Sequence, residues 1–425
     1  MMYRNSYRVL GIVGVLGLAL WLSGCGGGGG GGDNNLPGTA VQVSIRGAQW
    51  VAFQDGANGA WQTLAGAGDF SGAPRVTAAD GRYSLAYVCS GAKPTVHVVH
   101  TTLSETPQFN AVCGGGNPSS TITVNGTVQG VNGGQALIAI GESTAVPVGG
   151  VYTIPSMPAG IYDVVAVRLA SGIPNRVWLQ RGRSFPNSTT YDINFNQPDG
   201  SIVRVFDVSS GTVNIAGIDT GANETITSQI YLQSAVRSSI IGLGTTTLDG
   251  VVARYPIIPD DIRSAGESFR VRVISSEGRG IEEVQASLPN SLNYTLPAPF
   301  SNPSFSVNST GAIVVGVVGF AYGETPARGY LLELSGSGQP VRYQILISRS
   351  WLGGANTYNT PVLSNLSGWN ASWTLQRGQP LDAALRVLVV PNTVPTNTLW
   401  LALQGGNPPA GFQLRYATQR GTLNP

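Results

Sequence analysis

The chain has 425 residues, of which only 11% are charged, and its 24 basic and 22 acidic side chains leave a formal net charge of +2. That balance excludes a binder of nucleic-acid backbones: no run of basic residues is present to draw a polyanion, and Lys93 is the only lysine. The charged fraction falls far below the ~25% of an average soluble domain, so Ser, Thr, Asn and Gln must do most of the solvation.

The first element reads as an export signal. Arg4 and Arg8 form a positive start, Val9 to Leu22 is apolar or Gly throughout, and Ser23 and Gly24 precede Cys25. These 14 apolar positions would span about 21 Å as a helix at ~1.5 Å per residue, short of the ~30 Å bilayer core. Leu22-Ser23-Gly24-Cys25 resembles the lipobox of bacterial lipoproteins. The resemblance implies cleavage after Gly24, a diacylglycerol on the Cys25 thiol and acylation of the new amine; two or three chains make such an anchor stable. The residue after the cysteine is Gly26, not the aspartate that in many Gram-negative lipoproteins signals inner-membrane retention, so the resemblance implies the outer membrane. Without Arg4 and Arg8 the mature chain holds 22 charges of each sign. Gly26 to Gly32 and the aperiodic Asp33 to Gly38 complete a tether over 25–38, with an average reach near 20 Å by the coil rule of roughly 5–6 Å × √n.

Beyond the tether the chain is expected to be all-β, a series of Ig-like or transthyretin-like β-sandwich modules followed by a larger β-sandwich region. Short stretches alternate apolar and polar residues between Gly, Pro, Asn and Asp, as in Thr121 to Gln129, Tyr162 to Leu169, Phe269 to Ser275 and Gln344 to Ile347. With 58 Gly and 26 Pro, long helices are penalised almost everywhere. A first module over 39–117 has strands at Val41 to Ile45, Trp50 to Gln54, Arg82 to Val88 and Thr95 to Thr101. Its Cys89 and Cys113 are expected to form a disulfide, the remaining thiols of an exported chain.

A second module covers 118–197. Its Ile122-Thr123-Val124-Asn125-Gly126-Thr127-Val128, Gly150-Val151-Tyr152-Thr153-Ile154 and Met157-Pro158-Ala159-Gly160-Ile161-Tyr162-Asp163-Val164 resemble carboxypeptidase-regulatory-like modules, small transthyretin-like β-sandwiches. In the P-A-G-x-Y turn Pro158 fixes φ, Gly160 permits the reversal and Tyr162 starts the next strand pointing inward. Such modules usually act as spacers, so the resemblance implies a scaffold and carries over no catalytic position. The remainder, 198–425, reads as one large β-sandwich or two smaller ones dividing near 297–303, with the stretch Gly329 to Ala402 rich in strand formers.

Little in this chain is equipped for chemistry. His97 and His100, the only histidines, stand three apart in a strand-like run and so point to opposite faces, where they cannot share a metal. No G-x-S-x-G elbow occurs. Asp260, Asp261, Glu277, Glu282 and Glu283 could supply oxygens for calcium or an acid/base pair if two turns met, but they read as solvated turns. Trp351, Tyr358, Trp369 and Trp373 are candidates for a sugar-stacking platform, or else core residues. No metal and no cofactor is expected. The function that follows is a noncatalytic, lipid-anchored envelope protein, a spacer and interaction platform whose partners are the membrane, through Cys25, and other envelope proteins or glycans. The alternative is an anchored carbohydrate-active or peptide-cleaving enzyme with its site in 198–425. It requires two of Asp260, Asp261, Glu282, Glu283 and Asp382 to converge in a cleft.

Overall fold

The computed structural model describes residues 38–114, 121–234, 238–308, 310–404 and 406–425; Cys25 and residues 26–37 lie outside the described residues. The protein is all-β. Thr121–Gln129 shows why: its buried positions are every second residue, as a strand wet on one face and packed on the other requires.

Fourteen strands join a single sheet. From one edge the order is Ser239–Thr246, Ile226–Gln233, Ser268–Ser275, Gly280–Gln285, Gln413–Leu423, Leu381–Val389, Ala327–Ser335, Arg342–Ser348, Thr95–Thr102, Arg82–Cys89, Gln42–Asp55 and Trp61–Ala65. Gly68–Gly72 and Gln108–Val112 also pair with Gln42–Asp55. Antiparallel pairing dominates, but Thr95–Thr102 lies parallel to Arg342–Ser348, with His97 opposite Gln344. That contact carries the sheet from the N-terminal strands into the C-terminal ones.

The segments read as Val41 to Ile45 and Trp50 to Gln54 are one strand, Gln42–Asp55. Gly47, at φ 68°, stands beside register irregularities that let the strand bend and go on pairing. At the far edge the chain turns from Ser239–Thr246 into Gly250–Ile257, which belongs to a three-stranded sheet with Ser209–Ala216 and Ser291–Thr295. The two run so close there that a Cβ on Gly244 would sit 1.8 Å from the Val252 carbonyl oxygen.

Residues 121–207 form their own two-sheet sandwich. Ser143–Ala145, Gln135–Ile140, Gly160–Ala170, Ile173–Phe185 and Val203–Asp207 make one sheet; Val151–Pro158, Thr121–Gln129, Thr189–Thr190 and Ile193–Asn194 make the other. Val124, Ile138, Tyr152, Val164, Trp178 and Phe195 are buried together in its core. Tyr162 points inward as expected, 4% exposed, and its hydroxyl donates to the Pro158 carbonyl at 2.6 Å. The left-handed residue of this segment is Ser156 at φ 55°, next to a register shift between Ile154 and Met157, so the irregular backbone falls before the proline rather than at Gly160.

The stretch Gly329 to Ala402, rich in strand formers, ends in a helix, Thr396–Leu403. Leu399, Trp400 and Leu403 recur at helical spacing behind Pro395, whose fixed φ suits a helix start. Leu399 and Trp400 are buried against the large sheet, a burial worth about 1.5–3 kcal/mol for a leucine-sized side chain. The opposite face of the same sheet is covered by Ser304–Asn308, Val314–Val318 and Thr357–Asn359, whose Val315, Val317 and Tyr358 meet Val98, Leu332 and Leu385. Leu296 packs in one core and Phe300 in another, so core membership changes across 297–303.

Candidate functional site

On the helix-covered face, four strands change character along their length. Leu331, Leu346, Leu388 and Val99 pack in the core that Trp400 closes. Two residues along each strand, on the same face, stand Glu333, Gln344, Arg386 and His97; two further on stand Ser335, Arg342, Ala384 and Thr95. Here the helical cover has ended and an open groove of about 810 Å³ begins, lined by Lys93, Glu333, Arg342, Gln344, Asp382 and Arg420 among others.

Register sets these side chains in rows. Gln344, Glu333, Ala384 and Arg420 lie opposite one another on four adjacent strands, with Ser335, Asp382 and Thr422 in the neighbouring row. At a strand spacing of ~4.8 Å the first row is about 14 Å long. Ala384, the smallest member, gives the row its depth. The groove's carboxylates are already held: Glu333 accepts from Gln344 Nε2 at 3.2 Å and pairs with Arg386 at 3.4 Å, while Asp382 accepts from Thr422 Oγ1 at 3.3 Å. Lys93 Nζ donates to the Gly336 carbonyl at 2.7 Å, and Arg420 reaches the Ser276 carbonyl at 3.3 Å. The Arg342 side chain has no ion pair or hydrogen bond among the described residues.

His97 and His100 emerge on opposite faces. His97 stacks on Tyr87 with ring centroids 4.7 Å apart and meets Trp400 edge-on, and burial pushes its pKa down to about 4. Tyr87 in turn accepts from Trp400 Nε1 at 3.0 Å and from Gln404 Nε2 at 2.8 Å. His100 lies between Ser84 Oγ, 2.7 Å from its Nδ1, and the Tyr358 hydroxyl, 2.8 Å from its Nε2, and burial pushes its pKa down to about 3. A serine beside a histidine invites a catalytic reading. Ser84 is 0% and His100 2% exposed, so no substrate reaches the pair, and it serves as a satisfied polar core.

The four aromatics divide between two places. Trp351 and Tyr358 surround His100, with Trp351 4.2 Å from the imidazole centroid. Trp369 stands edge-on to both Trp50 and Trp373, at interplanar angles of 85° and 90°. Trp373 is buried and Trp369 partly so. Perpendicular rings of this kind present no common flat face.

The acidic candidates are likewise dispersed into separate partnerships. Asp260 pairs with Arg263 at 2.8 Å, and buried Glu282 lies between Arg270 at 2.7 Å and Arg272 at 3.5 Å. Glu283 accepts from Tyr294 at 2.6 Å and from Gln413 at 2.7 Å, while Asp261 and Glu277 are exposed. Among the described residues no three of His, Cys, Asp or Glu come together where they could hold a metal ion. Cys89 and Cys113 form a disulfide, Cα atoms 5.0 Å apart, in the same core that Trp400 closes.

Sequence reasoning singled out Asp382 but not the groove around it. The available signal was polar residues occupying the inward parity of otherwise apolar strands, Arg342 and Gln344 before Leu346, and Asp382 and Arg386 before Leu388.

No protein-family model and no curated protein sequence matches this chain. Among solved structures it is similar to a Ca2+-stabilized adhesin with which an Antarctic bacterium binds ice, 13% identical, over 89% of this chain and 90% of that one, with a TM-score of 0.17. It is also similar to the FN1–FN3 domains of chicken CNTN1, 9% identical, over 81% and 95%, with a TM-score of 0.17. A tetra-tandem repeat from the extending region of a large adhesion protein is 10% identical, over 91% and 100%, with a TM-score of 0.15. At such scores none superposes as a whole, and the reading of the site rests on its own geometry.

Proposed function

We propose that this protein is a noncatalytic, lipid-anchored component of a bacterial cell envelope that holds a glycan in the groove beside the Thr396–Leu403 helix. The observation that carries the reading is the row from Gln344 to Arg420. It is an uncovered sheet face whose positions follow at one strand spacing, close to the length of one sugar ring, so a saccharide laid across the strands meets Gln344, Glu333 and Arg420, with Ala384 leaving room for a ring between the last two. A peptide has less use for such a face, which offers no free strand edge and few apolar anchors. The amide of Gln344, the guanidinium of Arg420 and the hydroxyls of Ser335 and Thr422 are donors and acceptors of the kind that orient a polyhydroxylated ligand.

A noncatalytic role is supported by the way the carboxylates are held. Glycoside hydrolysis needs two carboxyl groups flanking one bond, and here Glu333 and Asp382 are tied to an arginine, an amide and a hydroxyl. The lipid anchor rests on the lipobox resemblance at Cys25. Two measurements test the proposal. A clickable fatty acid fed to the producing cell is expected to label the wild type and not Cys25→Ser, and label on the variant would overturn the anchor. Ala384→Trp, which fills the middle of the row, is expected to abolish capture of envelope polysaccharide; undiminished capture would overturn the groove.

A further inference from the structure

We infer that the groove selects a glycan bearing anionic groups, carboxylate or phosphate. This rests on the glycan reading and specifies it. Of the groove's two acids, Glu333 gives one oxygen to Gln344 and the other to Arg386, and Asp382 accepts once, from Thr422, whereas its three cations, Lys93, Arg342 and Arg420, keep most of their donors. Arg342 is exposed and its guanidinium has no partner among the described residues. Arg420 is exposed and engages one carbonyl at 3.3 Å. Lys93, the only lysine of the chain, is fixed by one carbonyl at 2.7 Å and has two ammonium protons left. The groove therefore sets three cations against two carboxylates, one of which is already paired with Arg386, and this positive balance lies on two sides of the row: Arg342 two residues from Gln344 on the same strand, Arg420 at the far end.

A neutral sugar offers hydroxyls that donate as readily as they accept and leaves that excess unmatched. A uronic acid or a sugar phosphate supplies acceptor oxygens that a guanidinium fork engages two at a time, which is the stronger and more directional contact. The exposed position of both arginines keeps the pairing screened by salt, so binding is reversible and weakens as ionic strength rises.

The test uses the mature, folded protein and three probes in calorimetric titration: hexamannuronate, a phosphorylated mannan oligosaccharide and neutral mannohexaose. The expected result is that at least one anionic probe binds about tenfold or more tighter than mannohexaose, and that Arg342→Gln combined with Arg420→Gln removes about tenfold or more of that affinity. The two anionic arms tell carboxylate from phosphate. Equal affinity for neutral and anionic probes, all lost in Ala384→Trp, would overturn the charge selection and leave the glycan reading intact. No binding of any saccharide, or binding that survives both variants, would overturn the two together. Because both arginines are exposed, unchanged thermal melting of the double variant is the control for folding.

Discussion

The covered and the uncovered ends of one sheet face make a natural experiment, because the same strands build both. Under the helix, Leu331, Leu346, Leu388 and Val99 supply a continuous apolar layer with Trp400, Tyr87 and the disulfide. Two to four residues along, the layer becomes Glu333, Gln344, Arg386 and Ala384, and no helix among the described residues covers it. The backbone pairing is continuous across the change, so the sheet itself is indifferent to which end it is. What differs is the source of free energy: burial at one end, and cross-strand pairs of half-exposed charges, each worth about 1 kcal/mol or less, at the other. On the proposed reading, stability and recognition are assigned to different lengths of the same strands.

Four substitutions or conditions sharpen that contrast, in falling order of effect. Trp400→Ala strips the centre from the covered end and is expected to cost about 3–5 kcal/mol in chemical denaturation; a loss under about 1 kcal/mol would mean the helix is not the lid. Replacing Cys89 and Cys113 by serine reopens a 24-residue separation and is expected to cost about 3 kcal/mol in the chain-entropy model, read by the same method.

Acidification comes third. Both histidines have folded-state pKa values below the unfolded ~6.5, so their neutral forms stabilise the fold fully above pH ~6.5, and that contribution is lost as pH falls toward about 4 for His97 and about 3 for His100. At pH 5.5 the expected loss is about 1.4 kcal/mol for each, a little under 3 kcal/mol for the two together. Imidazole C–H resonances that titrate near pH 6.5 in the folded protein would contradict this. Smallest is Arg342→Gln at the open end, expected to move stability by about 0.5 kcal/mol or less while changing ligand affinity. A large drop in its melting temperature would show that the open end is not open.

Much of the all-β character was legible in local pattern, because alternation in Thr121–Gln129 or Ser268–Ser275 needs no knowledge of the neighbouring strand. The opposite orientation of His97 and His100 followed from strand geometry alone. The helix at 396–403 was missed because Thr, Leu and Trp are ordinary strand residues, and what fixes the helix is the tertiary burial of Leu399 and Trp400. The groove was illegible for a different reason. Its row exists only because residues near 342, 384 and 420 become neighbours, and a polar residue at an inward parity looks like a local irregularity until its cross-strand partners are known.

The parallel pair of Thr95–Thr102 with Arg342–Ser348 has a consequence in time. During synthesis, the 239 residues between Thr102 and Arg342 take roughly 10–50 s to appear at about 5–20 residues per second. Throughout that interval Thr95–Thr102 is an unpaired edge carrying Val96, Val98 and Val99, the sort of template that recruits foreign strands. The N-terminal strands therefore cannot finish folding when they emerge, and a chain truncated before residue 342 is expected to need a chaperone at that edge or to aggregate through it.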